Sequence, residues 1–359
     1  MPLRSPRIAR LAVIVCGTVL AAIFGGCASL RDTPPNGETA PAPAGPGNAW
    51  LYPLETIDGG MMGNAVVGNP VTRLARPVAV AERDHQLYIV DANQELLYRY
   101  DTVSRRMTVV KDLRGIATAG PRPFMSVNPG VRPEYELQGG RAIDITAVYV
   151  AGDHSYYLAD GLGHRVLHFA PDGRLIQSFK DNLNLGRPVA IDVDETTGDV
   201  YVGDGLFDHI LVFNSAGELW RMLGDRGLEE GEFLNLTAMT RGPEGVYATA
   251  RLGLRGQVLD QDTGRFRYAF QEDTLVFPDG IAVDENGRAY VSDFFDNSIK
   301  IFEHGKLVAT VGGTGAGIGR FKGIAGLTLG NGFLYVADSL NGRIQVFRTT
   351  AGPAPANNQ

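Results

Sequence analysis

Five aspartates stand where a chain could do acid–base or metal chemistry: Asp91, Asp160, Asp204, Asp293 and Asp338. Carboxylates bind hard cations and act as general acids, so five in related surroundings would suit a hydrolase. Their context argues otherwise. Each follows a short apolar run and precedes a polar turn, where a short carboxylate accepts backbone N–H bonds from the residues that follow. The same residue in every copy is what a turn role produces, whereas a site requires different groups converging on one point. The six histidines are as scattered: His85, His154, His164, His168, His209 and His304 include no pair at metal-ligand spacing in one local element. Neither a metal nor another cofactor is expected.

The elements that position these residues emerge from their spacing. LYIVDANQELLYRY (87–100), YYLADGLGHRVLHF (156–169), VYVGDGLFDHILVF (200–213), AYVSDFFDNSIKIF (289–302) and LYVADSLNGRIQVF (334–347) each carry an aromatic nine residues after the aspartate. Successive aspartates are 69, 44, 89 and 45 residues apart. The interval of 89 hides one more copy, VYATARLGLRGQVL (246–259), with Ala250 in the aspartate position. Six copies at this period, each preceded by an apolar stretch such as RPVAV (76–80) or RPVAID (187–192), predict four-stranded blades of a propeller. The pattern resembles the NHL-repeat family, most closely in the last copy, Asp338-Ser339-Leu340-Asn341-Gly342-Arg343-Ile344-Gln345-Val346-Phe347. The expected fold is all-β: a single six-bladed β-propeller of four-stranded antiparallel blades over residues 50–348. An open ring would leave strand edges unpaired, so a segment from residues 50–74, such as Ala65–Leu74, should pair beside the third strand of the last blade.

Departures from the repeat carry the functional expectation. Arg76, Arg141 and Arg187 are read as occupying one entry position in blades one to three, with Lys322 near the entry of blade six and Arg251 replacing the polar turn of blade four. Together they would hold a carboxylate, phosphate or sulfate; alternatively each merely begins a strand and covers the channel wall with its stem. Phe207, Phe294 and Phe295 fall in the corresponding turns, as an apolar patch for a protein partner. The long interval after blade one contains Arg122, Phe124, Arg132 and Tyr135, a candidate functional loop on the same rim. Asp144 is aligned with Ala79, Ala190 and Ala282 on the innermost strands, as either a backbone-bonded acid or part of a channel site.

The first 26 residues are of another kind. Arg4, Arg7 and Arg10 precede the apolar run LAVIVCGTVLAAIFGG, and Cys27 follows at once. This is a secretory signal (1–26), and Phe24-Gly25-Gly26-Cys27 resembles the bacterial lipobox, with Cys27 carrying the covalent lipid. The resemblance implies, through Ala28, sorting to the outer membrane, facing the periplasm. Residues 27–49 are rich in Pro, Gly and Ala and read as a disordered tether, as 349–359 read as a disordered tail.

Composition bounds the function. Gly is 46 of 359 residues and charged residues are 20%, which suits tight turns in a globular body. Without the three leader arginines the formal charge of −7 becomes −10. An acidic, extracytoplasmic body opposes nucleic-acid binding. The expectation is a monomeric, membrane-tethered binding or scaffold protein, without catalysis, whose rim grips a protein or a small envelope ligand. The alternative is a channel-centred, metal-dependent hydrolase or lyase, because the resemblance extends to lactonase-like propellers.

Overall fold

Each repeat copy consists of runs rich in Val, Ile, Leu and Tyr, too short for helices and punctuated by Asp, Asn and Gly, so antiparallel hairpins satisfy its backbone. The computed structural model describes residues 50–62, 71–116, 144–253 and 255–350, all within one unit, Pro43–Gln359. Six sheets form six blades, and no α-helix occurs among the described residues. Blade one runs outward through Pro77–Arg83, Gln86–Asp91, Leu96–Asp101 and Arg106–Asp112, blade two from Ile145–Val150, and blade three from Pro188–Asp194. Blades four, five and six begin with Glu232–Gly242, Pro278–Val283 and Ile324–Gly330. The six innermost strands contact one another in sequence, and the sixth returns to the first, closing the ring.

Closure uses the expected region but a different segment. Leu51–Ile57 pairs antiparallel with Arg343–Thr349 as the outermost strand of blade six. Val71–Arg73 instead pairs with Gly59–Met62, which lies parallel on the edge of blade one, and 63–70 are outside the described residues. Leu51–Ile57 fits because Leu51 and Ile57 turn inward at its two ends. Arg288 then latches both chain ends of the blade: its guanidinium lies 4.6 Å from the Trp50 ring centroid and donates to the Thr350 carbonyl at 2.7 Å.

The core lies between blades. Val90, Leu97, Ile145, Leu158 and Phe169 form one cluster shared by blades one and two, and similar clusters join the other neighbours. Tyr88, Tyr157, Tyr201, Tyr247, Tyr290 and Tyr335, each three residues before the repeat aspartate or Ala250, are buried in every blade. This column, more regular than the aspartates themselves, supplies large apolar area at each blade interface. Gly245 shows how tight the hairpins are: at φ 128° a Cβ there would fall 2.1 Å from the Leu259 carbonyl oxygen.

Candidate functional site

The repeat aspartate fastens two segments together. Asp91 accepts from the N–H groups of Asn93 and Gln94 in the turn, as expected, and also from Ala75 and Arg76 in the segment entering the blade. Asp204 does the same with Leu206, Phe207, Gly186 and Arg187, and Asp293 with Phe295, Val276 and Phe277. These carboxylates are fully buried and spent on backbone donors, so they are not available to a ligand. In Asp293, burial works against ionisation, but the Lys300 ammonium at 2.6 Å and the backbone donors hold its pKa below the ordinary value. Blade four, with Ala250, uses substitutes: Asp208 accepts the Leu236 N–H, and Gln257 bridges Gly231 and Glu232.

By fixing the entering backbone, each staple places one side chain at the mouth of the channel. Strand register identifies that position as Arg76, Asp144, Arg187, Asn235, Phe277 and Gly323 around the six blades. The sequence alignment of Asp144 with Ala79 and Ala190 is therefore corrected by three residues, and in blade five Gly280, not Ala282, is the equivalent position. Ala147 occupies the small-residue column, and Asp144 stands level with Arg76 and Arg187. Arg141, aligned with them from sequence, lies outside the described residues, as do Arg122, Phe124, Arg132, Tyr135 and Cys27.

Two residues further on, every innermost strand has a register shift, the mark of a β-bulge that re-aims one side chain. The re-aimed residues are Val78, Thr146, Val189, Thr237, Asp279 and Ala325, and all line a cavity of about 720 Å³ on the propeller axis. Sequence reading missed this second ring because a bulge leaves no local trace in composition. It contains one charged group, Asp279, which accepts from Arg251 at 2.6 Å. In the outer ring Arg187 pairs with Asp144 at 3.1 Å. Arg76 lines the cavity, is exposed, and makes no ion pair among the described residues. Lys322 is exposed and does not line the cavity; its backbone N–H is held by Asp338 at 2.7 Å.

The rim around this mouth carries an apolar collar. The residue two places after the repeat aspartate (or Ala250) is Leu162, Leu206, Leu252, Phe295 or Leu340 in blades two to six, and these are between 48% and 64% exposed. Only Phe295 of these was picked out from sequence, although the spacing was there to be read. Phe294 is also exposed and borders Gly323 together with Leu340, whereas Phe207 is only half exposed, near Gly186. Phe277, at the entry position of blade five, places its ring 6.1 Å from that of Phe295. At the entry position the mouth is thus charged over blades one to three and uncharged over blades four to six.

The histidines remain structural on this rim. His164 Nδ1 donates to the Gly186 carbonyl at the entry of the next blade, and His209 Nε2 to the Asn184 carbonyl in the segment entering its own blade. At the opposite rim the cavity ends among Arg83, Tyr149 and Asp192. Arg83 donates to both oxygens of Glu195, at 2.7 and 2.8 Å, and Tyr149 donates to the same carboxylate at 2.8 Å. Burial pushes the Asp192 carboxyl up despite N–H and O–H donation from Arg241 and Thr240, and burial likewise raises Glu82.

No family model matches the chain, and no curated protein matches it. Among solved structures it is similar to a streptogramin B lyase at TM-score 0.54 and 12% identity, covering 84% of this chain and 97% of that one. It is also similar to a protein of unknown function from Bacteroides thetaiotaomicron at TM-score 0.58 and 15% identity, over 82% and 75% of the two chains. A third likeness is to virginiamycin B lyase from Staphylococcus aureus with quinupristin, at TM-score 0.53 and 11% identity, over 84% and 98%. At these identities the likeness is one of fold: the chain is a six-bladed β-propeller, and its site must be read from its own residues.

Proposed function

We propose that this chain is an NHL-type propeller of the cell envelope, tethered by lipid on Cys27 at the outer membrane, that binds a protein partner through the collared rim without catalysing a reaction. The observation that carries the reading is the collar. Five blades spend the same turn position on a large, half-exposed apolar side chain, arranged around the mouth of an open cavity. Exposed apolar side chains that recur around one opening suit an interaction site. Asp144 and Asp279 at the mouth are each held by an arginine, which favours binding over acid–base chemistry at those two groups, while Glu95 lines the same cavity.

Chain direction favours the same use. Leu51 pairs with Thr349 at the end of the sixth blade remote from the collar, so the chain enters the propeller through Trp50 at the opposite rim. Capture of partners from membranes by crosslinking tests the reading: native protein should retain partners that a Leu206→Ser, Leu252→Ser, Phe295→Ser variant loses. Equal capture by both would refute a collar interface. Cys27→Ser tests the anchor separately; the variant should leave the membrane fraction, and its persistence there would contradict lipidation.

The lyase reading has one point in its favour, the fold shared with two streptogramin-type lyases. It requires a free acid or base facing the cavity, and hydrolysis or elimination by purified protein would establish it.

A further inference from the structure

Most charged side chains that line the axial cavity are held by the protein itself. At the mouth Arg187 pairs with Asp144 and Arg251 with Asp279. Toward the opposite rim Arg83 pairs with Glu195, Glu82 accepts from the Asn331 amide, and Asp192 accepts from the Thr240 hydroxyl. Arg76 and Glu95 are left, opposite in charge and on the same blade. Among the described residues neither side chain has a hydrogen-bond or ion-pair partner, the other included. The neighbouring Arg114 is already bound to Asp112 through two nitrogens.

Asp91 fixes both groups. Its carboxylate accepts from the Arg76 N–H in the entering segment and from Asn93 and Gln94 in the turn that leads to Glu95. Glu95 also departs from its repeat. It is the fourth residue after the aspartate, at a left-handed backbone position that His164, Asp208 and Asn297 occupy in blades two, three and five. Those three side chains reach forward to the next blade: His164 donates to the Gly186 carbonyl, Asp208 accepts the Leu236 N–H, and Asn297 accepts the Gly323 N–H. Asp144 and Ile145 are the matching backbone of blade two, yet Glu95 accepts from neither and lines the cavity instead.

We propose that the cavity binds a small zwitterion, an α-amino acid with an apolar side chain, with its carboxylate on Arg76 and its ammonium group on Glu95. Two fixed opposite charges that do not pair with each other are matched by one molecule carrying both. An anion or a cation alone leaves the second charge without a partner. A volume of about 720 Å³ accommodates such a ligand together with water. Below the mouth Val78, Val189 and Ala325 supply an apolar wall for its side chain. The site is separate from the collar and does not depend on a protein being seated there.

Calorimetric titration of the lipidated full chain in detergent tests this with L-valine, L-leucine and L-phenylalanine, each beside its analogues lacking the amine or the carboxylate. At least one amino acid should bind, with both of its analogues at least tenfold weaker. Arg76→Ala should weaken that amino acid at least tenfold and leave the carboxylate-free amine unchanged. Glu95→Gln should weaken the amino acid and the amine, and leave the amine-free acid unchanged. Because each variant spares one analogue, a general loss of folding cannot produce the pattern. Binding of none of the three amino acids, binding of an analogue as tight as its parent, or equal loss of every ligand in both variants would overturn the proposal. So would conversion of the bound amino acid to a product. Partner capture at the collar is read in a different experiment, so either reading can fail while the other stands.

Discussion

Asp204 concentrates the logic of the fold in one side chain. Fully buried, it accepts four backbone N–H bonds. Asp204→Ala should cost about 3 kcal/mol, read as a lowered denaturant midpoint with the slope unchanged. Asp192 makes the opposite case. Its pKa is raised in the folded state, chiefly by burial, so the stability it contributes is present in acid and lost as pH rises through the folded value. Asp192→Asn keeps an acceptor for Thr240 and Arg241 and removes the charge. It should raise Tm by roughly 1–3 °C at pH 7 and by almost nothing at pH 4. A lower Tm at pH 7 would mean that the ionised carboxylate is the stabilising form.

The closing strand is the element on which the ring depends, and Arg288 is its clasp. Besides the Trp50 ring and the Thr350 carbonyl, the guanidinium engages Glu303 at 2.8 Å. Arg288→Ala should cost about 2 kcal/mol, mostly from the ring and carbonyl contacts, since ion pairs with exposed carboxylates contribute little. Hydrogen exchange should quicken in Leu51–Ile57 and Arg343–Thr349 before it does in blades two to four. Uniform quickening would show that the ring opens as one unit. How far such elements could be read from sequence depended on what each one repeats. Aspartate-to-aromatic spacing located all six blades, including the copy with Ala250, because turn and packing roles leave a fixed interval. The closing segment was misplaced because one outer strand, read alone, looks like any short apolar run. The Asp144 column slipped because Ile145 stands where Pro77 and Pro188 mark the other entries.

At the scale of the molecule the two rims differ in kind. The collared rim offers apolar side chains around a charged mouth, whereas the opposite rim is made of turns such as Asp84-His85, Glu285-Asn286 and Asn331-Gly332. The collar was visible in the sequence as a column of Leu and Phe two residues past the aspartate, yet its meaning required the ring, which alone brings five distant turns around one opening. The most direct measurement is site-specific photo-crosslinking of the lipidated protein on intact membranes. One set of probes replaces Leu206, Leu252 and Phe295, and a second replaces Glu285 and Asn331 on the opposite rim. Discrete protein adducts from the first set and none from the second are the predicted result. Adducts from the second set alone, or from both equally, would contradict the claim that the collar is the binding face.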